Sequence, residues 1–76
     1  MRVVIARVHE NVFAGDALSL SVPTTSGNVV ILPNHEPYVA TLKQGTVTVV
    51  DTAGSHSYDV EGGVLEVSNN QATVLL

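Results

Sequence analysis

VPTTSGNVVILPNHEPYVATLKQG, residues 22–45, decides the fold. Asn28 to Leu32 reads as a continuous apolar run, which suits a strand buried on both faces. Turn signals bound it at Thr25-Ser26-Gly27 and Pro33-Asn34, and another follows at Gln44-Gly45. Glu36 to Lys43 comes nearest to a helix, but it starts beside Pro37 and is too short. The stretch is therefore β structure cut by tight turns.

The same pattern extends to both sides. Leu18, Leu20 and Val22 alternate with Ala17, Ser19 and Ser21, as Val47 and Val49 do with Thr46 and Thr48. Tyr58 and Val60 alternate with Ser57, Asp59 and Glu61. This period of two marks strands with one buried face. Val4, Ala6 and Val8 form such a set near the start, although Val3 and Ile5 make the other face apolar too. Ala72 to Leu76 is a second continuous run. Further turn signals fall at Ala14-Gly15-Asp16, Ala53-Gly54-Ser55, Gly62-Gly63 and Ser68-Asn69-Asn70. Short strands with regular turns predict an all-β sandwich or barrel. With 76 residues, 45% of them hydrophobic, there is room for one core, so residues 1–76 read as a single domain.

Composition narrows the function. Seven acids against Arg2, Arg7 and Lys43 give a net charge of −4, which argues against nucleic acid and its need for a basic footprint. No cysteine is present, which excludes disulfides and thiolate metal sites. MRVVIARVHE is not a signal peptide, because Arg7 interrupts its apolar run. No apolar run approaches the roughly 20 residues that span a bilayer as a helix.

The candidate chemical groups do not converge. His9-Glu10 and His35-Glu36 are neighbours, but adjacent strand residues point to opposite faces. No nucleophile elbow or phosphate loop occurs, so neither catalysis nor a metal or cofactor site is expected. His35 lies in a turn stiffened by Pro33 and Pro37. Three roles are open to it: locking that turn through a local backbone group, meeting a partner surface, or serving as a ligand. Gly62-Gly63 suggests a bulge, a closing bend or a close backbone approach. Ser19, Ser21, Thr46 and Thr48 read as solvent faces that a partner could cover without desolvating an ion.

Five segments, in order, resemble the N-terminal β-sandwich domain of the epsilon subunit of the F-type ATP synthase. They are the Phe13-Ala14-Gly15 turn, Val22-Pro23 to Gly27, Ile31 to Pro37, Leu42-Lys43-Gln44-Gly45, and Gly62-Gly63-Val64-Leu65-Glu66-Val67. The resemblance implies a flattened sandwich of about ten short strands, as in that family's domains. It implies a non-catalytic rotor component without cofactor, docked on the gamma subunit and the c-ring to couple proton translocation to ATP synthesis. If the source is bacterial, the location implied is the cytoplasmic face of the inner or plasma membrane, peripheral and held through the complex. By position, Ser26, Gly27 and Asn28 match the family's ring-facing loop, and Arg7 and His35 match positions that face gamma. Val30, Asn34 and Gln44 depart from the family's Gly, Gly and Pro, and Asn28 stands where an acid is usual. Family members continue into two inhibitory helices; residues up to Leu76 match the sandwich alone, so no inhibitory or nucleotide-sensing role falls to them. Two other readings remain: an adaptor of the same fold serving another assembly, and a metal or ligand binder using His9, His35 and His56.

Overall fold

Turn residues cut the chain into nine strands and no helix, in a computed structural model that describes residues 1–76. The strands are β1 (Arg2–Arg7), β2 (Glu10–Asp16), β3 (Ser19–Thr24), β4 (Gly27–Ile31), β5 (Tyr38–Leu42), β6 (Gly45–Asp51), β7 (Gly54–Val60), β8 (Gly63–Ser68) and β9 (Gln71–Leu75). They form one path, β2-β1-β9-β8-β5-β3-β6-β7, with β4 on the free side of β3. Between β5 and β3 only Thr24 and Leu42 pair. The sheet folds at that weak point into two layers, β2-β1-β9-β8-β5 and β4-β3-β6-β7, which share one core. The all-β sandwich expected from the sequence is the architecture found.

Cross-strand register lines up the buried residues. In the first layer Phe13, Ile5, Val74, Leu65 and Ala40 form one inward row, and Gly15, Val3, Ala72, Val67 and Tyr38 form the next. In the second, Ile31, Leu20, Val49 and His56 lie in register. Both layers contribute to one cluster that includes Val3, Ile5, Leu65 and Val74 from the first and Leu20, Val22, Val47 and Val49 from the second. Each such side chain contributes about 1.5–3 kcal/mol on burial, and small aliphatics suffice for so thin a core. Where the path ends, Phe13 of β2 meets His56 and Tyr58 of β7, with ring centroids 5.7 and 6.5 Å apart.

Several sequence expectations are corrected. Val3 and Ile5 face the core, whereas Val8 is 86% exposed in the β1–β2 turn. Leu18 falls in the β2–β3 connection and is exposed. The runs Asn28–Leu32 and Ala72–Leu76 are not buried on both faces: Val30, Leu32 and Leu75 point outward, because each layer has only one covered face. Ala14, Gly15 and Asp16 continue β2 against β1, with Gly15 opposite Val3.

Candidate functional site

The corner where the layers meet builds the expected ring-facing loop. Pro23 and Thr24 are buried as β3 crosses between β4 and β5. Thr24 is 1% exposed. Its hydroxyl donates to the Gly27 carbonyl at 2.6 Å and accepts from the Ser26 N–H at 3.2 Å. One side chain thus satisfies both arms of the turn, as a buried polar group must be satisfied. Gly27 has φ +121°, a conformation that favours glycine. Ser26 and Asn28 are left exposed on either side of it.

Two backbone bonds fasten this loop to the next turn. Thr25 N–H donates to the Thr41 carbonyl at 3.0 Å, and Lys43 N–H donates to the Pro23 carbonyl at 2.8 Å. Gly62 lies in the turn between β7 and β8 and Gly63 opens β8 opposite Leu42, rather than forming a bulge within a strand. Gly63 has φ +143°, and an added Cβ would collide with the Leu75 carbonyl oxygen. Of the readings open for this pair, a bend with close backbone approach is the one observed.

The opposite end of the first layer holds Pro33, His35 and Pro37, in the loop between β4 and β5. Asn34 takes φ +63°, and its N–H donates to Asn70 Oδ1 at 2.7 Å. His35 Nδ1 donates to the Glu36 carbonyl at 2.7 Å, and its ring lies 5.7 Å from that of Tyr38. The imidazole therefore makes a local backbone bond. Arg2 N–H donates to the Asn70 carbonyl, which ties the start of β1 to this end.

Arg7 ends β1, with Nε 3.8 Å from Glu10 Oε1. Such an exposed pair contributes only about 0–1 kcal/mol. Arg2 and Arg7 bracket β1, so Arg7 and His35 lie at opposite ends of the layer, about 17 Å apart along the strands. The structure does not bring this pair together. Arg7 instead shares its end with the attachment of the Ser26–Asn28 loop to β5.

The outer faces differ in chemistry. The first layer exposes Val39, Val64 and Leu75. The second presents Ser21, Thr48 and Ser57 in register, and Thr48 and Ser57 share a hydrogen bond of 3.2 Å. Ser19, Ser21 and Thr48 are only half-exposed, whereas Thr46 is open to solvent.

Nothing resembling a catalytic centre assembles. No enclosed pocket forms, and no three His, Asp or Glu side chains converge. His9 lies in the β1–β2 turn and His56 in β7, and the two take part in no group of three metal-binding side chains. His56 Nε2 is 3.0 Å from Asp51 Oδ2, while Asp51 Oδ1 accepts from the Ala53 and Gly54 N–H groups at 2.8 and 3.0 Å. Burial pushes the Asp51 carboxyl up, but the Ala53, His56 and Gly54 hydrogen bonds and the attraction of His56 outweigh it and hold it below the usual carboxylate value.

Sequence reasoning missed Thr24 and Asn70. Thr24 reads as one more β-compatible hydroxyl. Asn70 sits in a recognised turn signal, and its positive φ of 57° is what Asn tolerates there, but its bond to Asn34 joins residues 36 positions apart.

Comparison with known proteins agrees with this architecture. Residues 1–76 match the family model described as the ATP synthase, Delta/Epsilon chain, beta-sandwich domain. The chain is 36% identical over 76 residues to the ATP synthase epsilon chain of Bordetella petrii, covering 99% of this chain and 54% of that one. It is 40% identical over 73 residues to the epsilon chain of Thioalkalivibrio sulfidiphilus, covering 93% and 52%. It thus spans about half the length of the curated relatives it matches. Its fold superposes on a chain of the Euglena gracilis mitochondrial ATP synthase with a TM-score of 0.89, at 21% identity, over 96% of this chain and 48% of that chain. A chain of the Tetrahymena thermophila mitochondrial ATP synthase central stalk and c-ring gives 0.84 at 15% identity, over 97% and 60%.

Proposed function

This chain belongs to the family of ATP synthase delta/epsilon β-sandwich domains, and on that premise we propose that it is a non-catalytic rotor component of an F-type ATP synthase. The observation that carries the reading is the family match over every residue of the chain, 1–76. In this role the sandwich docks on the gamma subunit and the c-ring and turns with them, coupling proton translocation to ATP synthesis. It is held at the cytoplasmic membrane face of a bacterium through the complex.

Two features support a division of labour. The Ser26–Gly27–Asn28 loop projects from a corner fixed by backbone bonds, as suits a ring contact under torque. Arg7 and His35 bracket the first layer, whose outer face exposes Val39, Val64 and Leu75. A gamma subunit lying along that face meets both residues and covers the apolar side chains between them. The test adds the chain to a synthase of the same source depleted of its epsilon subunit. Recovery of ATP-driven proton pumping is expected. Failure to bind the depleted complex at all overturns the role and favours an adaptor in another assembly.

A further inference from the structure

We infer that the Thr25–Asn28 loop and the Lys43–Gln44 turn form one docking surface, and that Lys43 selects a partner loop bearing a carboxylate. The inference rests on the reading of Ser26–Asn28 as the ring contact and specifies its chemistry.

The two turns are one body. Thr24 holds the first internally, through its bonds to Ser26 and Gly27. The reciprocal pair Thr25 N–H to Thr41 and Lys43 N–H to Pro23 then locks it to the second. Gly45, just past the second turn, has no room for a Cβ: it would stand 2.9 Å from Pro23 Cβ. Neither turn moves without the other, so a partner seated on the loop also meets Lys43 and Gln44.

The charge on this surface is one-sided. Thr25, Ser26, Gly27, Asn28 and Gln44 are all neutral, and Lys43 is the single ionic group. All of these residues except Gly27 are exposed. The Arg or Lys to carboxylate contact of the molecule is Arg7–Glu10, and no carboxylate of the chain lies within ion-pairing distance of Lys43. Glu61 adjoins this surface in the β7–β8 turn, next to Val60, which pairs with Gly45, but it makes no ion pair with Lys43. In a chain of net charge −4, an unpaired ammonium beside hydroxyl and amide donors fits an acidic, polar protein loop. A charge of this kind acts mainly on association rate and partner choice.

The test measures association of the chain with the c-ring purified from the same cells, in a salt series, for wild type, Lys43→Gln, Lys43→Glu and Asn28→Arg. Both positions, 28 and 43, are exposed, and melting curves confirm folding. At low salt Lys43→Gln is expected to slow association about threefold to tenfold and Lys43→Glu more, with all rates converging near 1 M salt, where the screening length is about 3 Å. Asn28→Arg is expected to alter association because it lies in the loop itself. If Asn28→Arg alters binding and both Lys43 variants match wild type, the loop is the contact and the composite surface is wrong. If Lys43→Glu binds faster than wild type, the partner loop is basic and the carboxylate assignment is overturned. If no variant has any effect, the ring contact lies elsewhere and the reading beneath the inference falls with it.

Discussion

The two ends of the first layer are built by different means. At the corner, turns are joined by backbone bonds, Thr25 to Thr41 and Lys43 to Pro23, and glycine clearance lets strands approach. At the far end a side-chain bond joins two turns, Asn70 to Asn34, beside a backbone bond that ties Arg2 to Asn70. Backbone joints keep their geometry whatever the exposed side chains become, but they fail when an atom is added. Side-chain joints tolerate added atoms and fail when a group is removed. The corner thus keeps its shape when exposed side chains change, and the far end depends on particular residues.

The largest expected effect breaks the corner. Gly63→Ala drives a Cβ against the Leu75 carbonyl at a φ that L residues avoid, and is expected to cost about 2–5 kcal/mol in denaturant unfolding. A loss below about 1 kcal/mol would show that β8 and β9 shift freely there. Thr24→Val removes the hydroxyl but keeps the shape, leaving the Gly27 carbonyl and the Ser26 N–H without it; about 1–3 kcal/mol is expected. Thr24→Ser is expected to restore most of that, and equal losses for both would assign the effect to packing.

At the far end the expected effects are smaller. Asn70→Ala loses an exposed bond and forces alanine to φ 57°, for a cost of about 1–2 kcal/mol by thermal melting. An unchanged melting temperature would mean that the Asn34–Asn70 joint does not hold this end together. The smallest effect is conditional on pH. The Asp51 carboxyl is lowered in the fold, so its contribution is present above the unfolded-chain value of about 3.9 and fades as pH falls through the folded value. Asp51→Asn keeps an oxygen for Ala53 and Gly54 but cannot titrate. Stability is therefore expected to fall less steeply on acidification below about pH 4 in Asp51→Asn than in wild type. Parallel acid-denaturation curves would remove Asp51 from the account.

The sequence makes the interior of the second layer legible, because Leu20, Val22, Val47 and Val49 alternate with Ser and Thr, and polarity names the outer face. It does not do so for β1, where both faces are apolar and only pairing with β2 and β9 decides that Val3 and Ile5 go inward. Val30, Leu32 and Leu75 mislead in the same way, since an apolar residue on an uncovered face looks like core. Gly15 misleads by type: glycine signals a turn on average, yet here it continues β2 opposite Val3. The Ser26–Asn28 loop is legible as a turn, but its holder Thr24 and its neighbour Lys43 are not linked to it by any local pattern. That Arg7 and His35 lie at opposite ends of the first layer is likewise not shown by any local pattern, since only the strand pairing sets it.

The claim that the Ser26–Asn28 loop and the outer face of the first layer meet different partners has a direct test. The chain has no cysteine, so each introduced thiol is unique. Ser26→Cys, Arg7→Cys and His35→Cys are each labelled with a photoreactive maleimide and illuminated in the assembled synthase. The account predicts that label at position 26 joins the ring subunit, while labels at positions 7 and 35 both join gamma. Capture of one and the same subunit from positions 26 and 35 would contradict it.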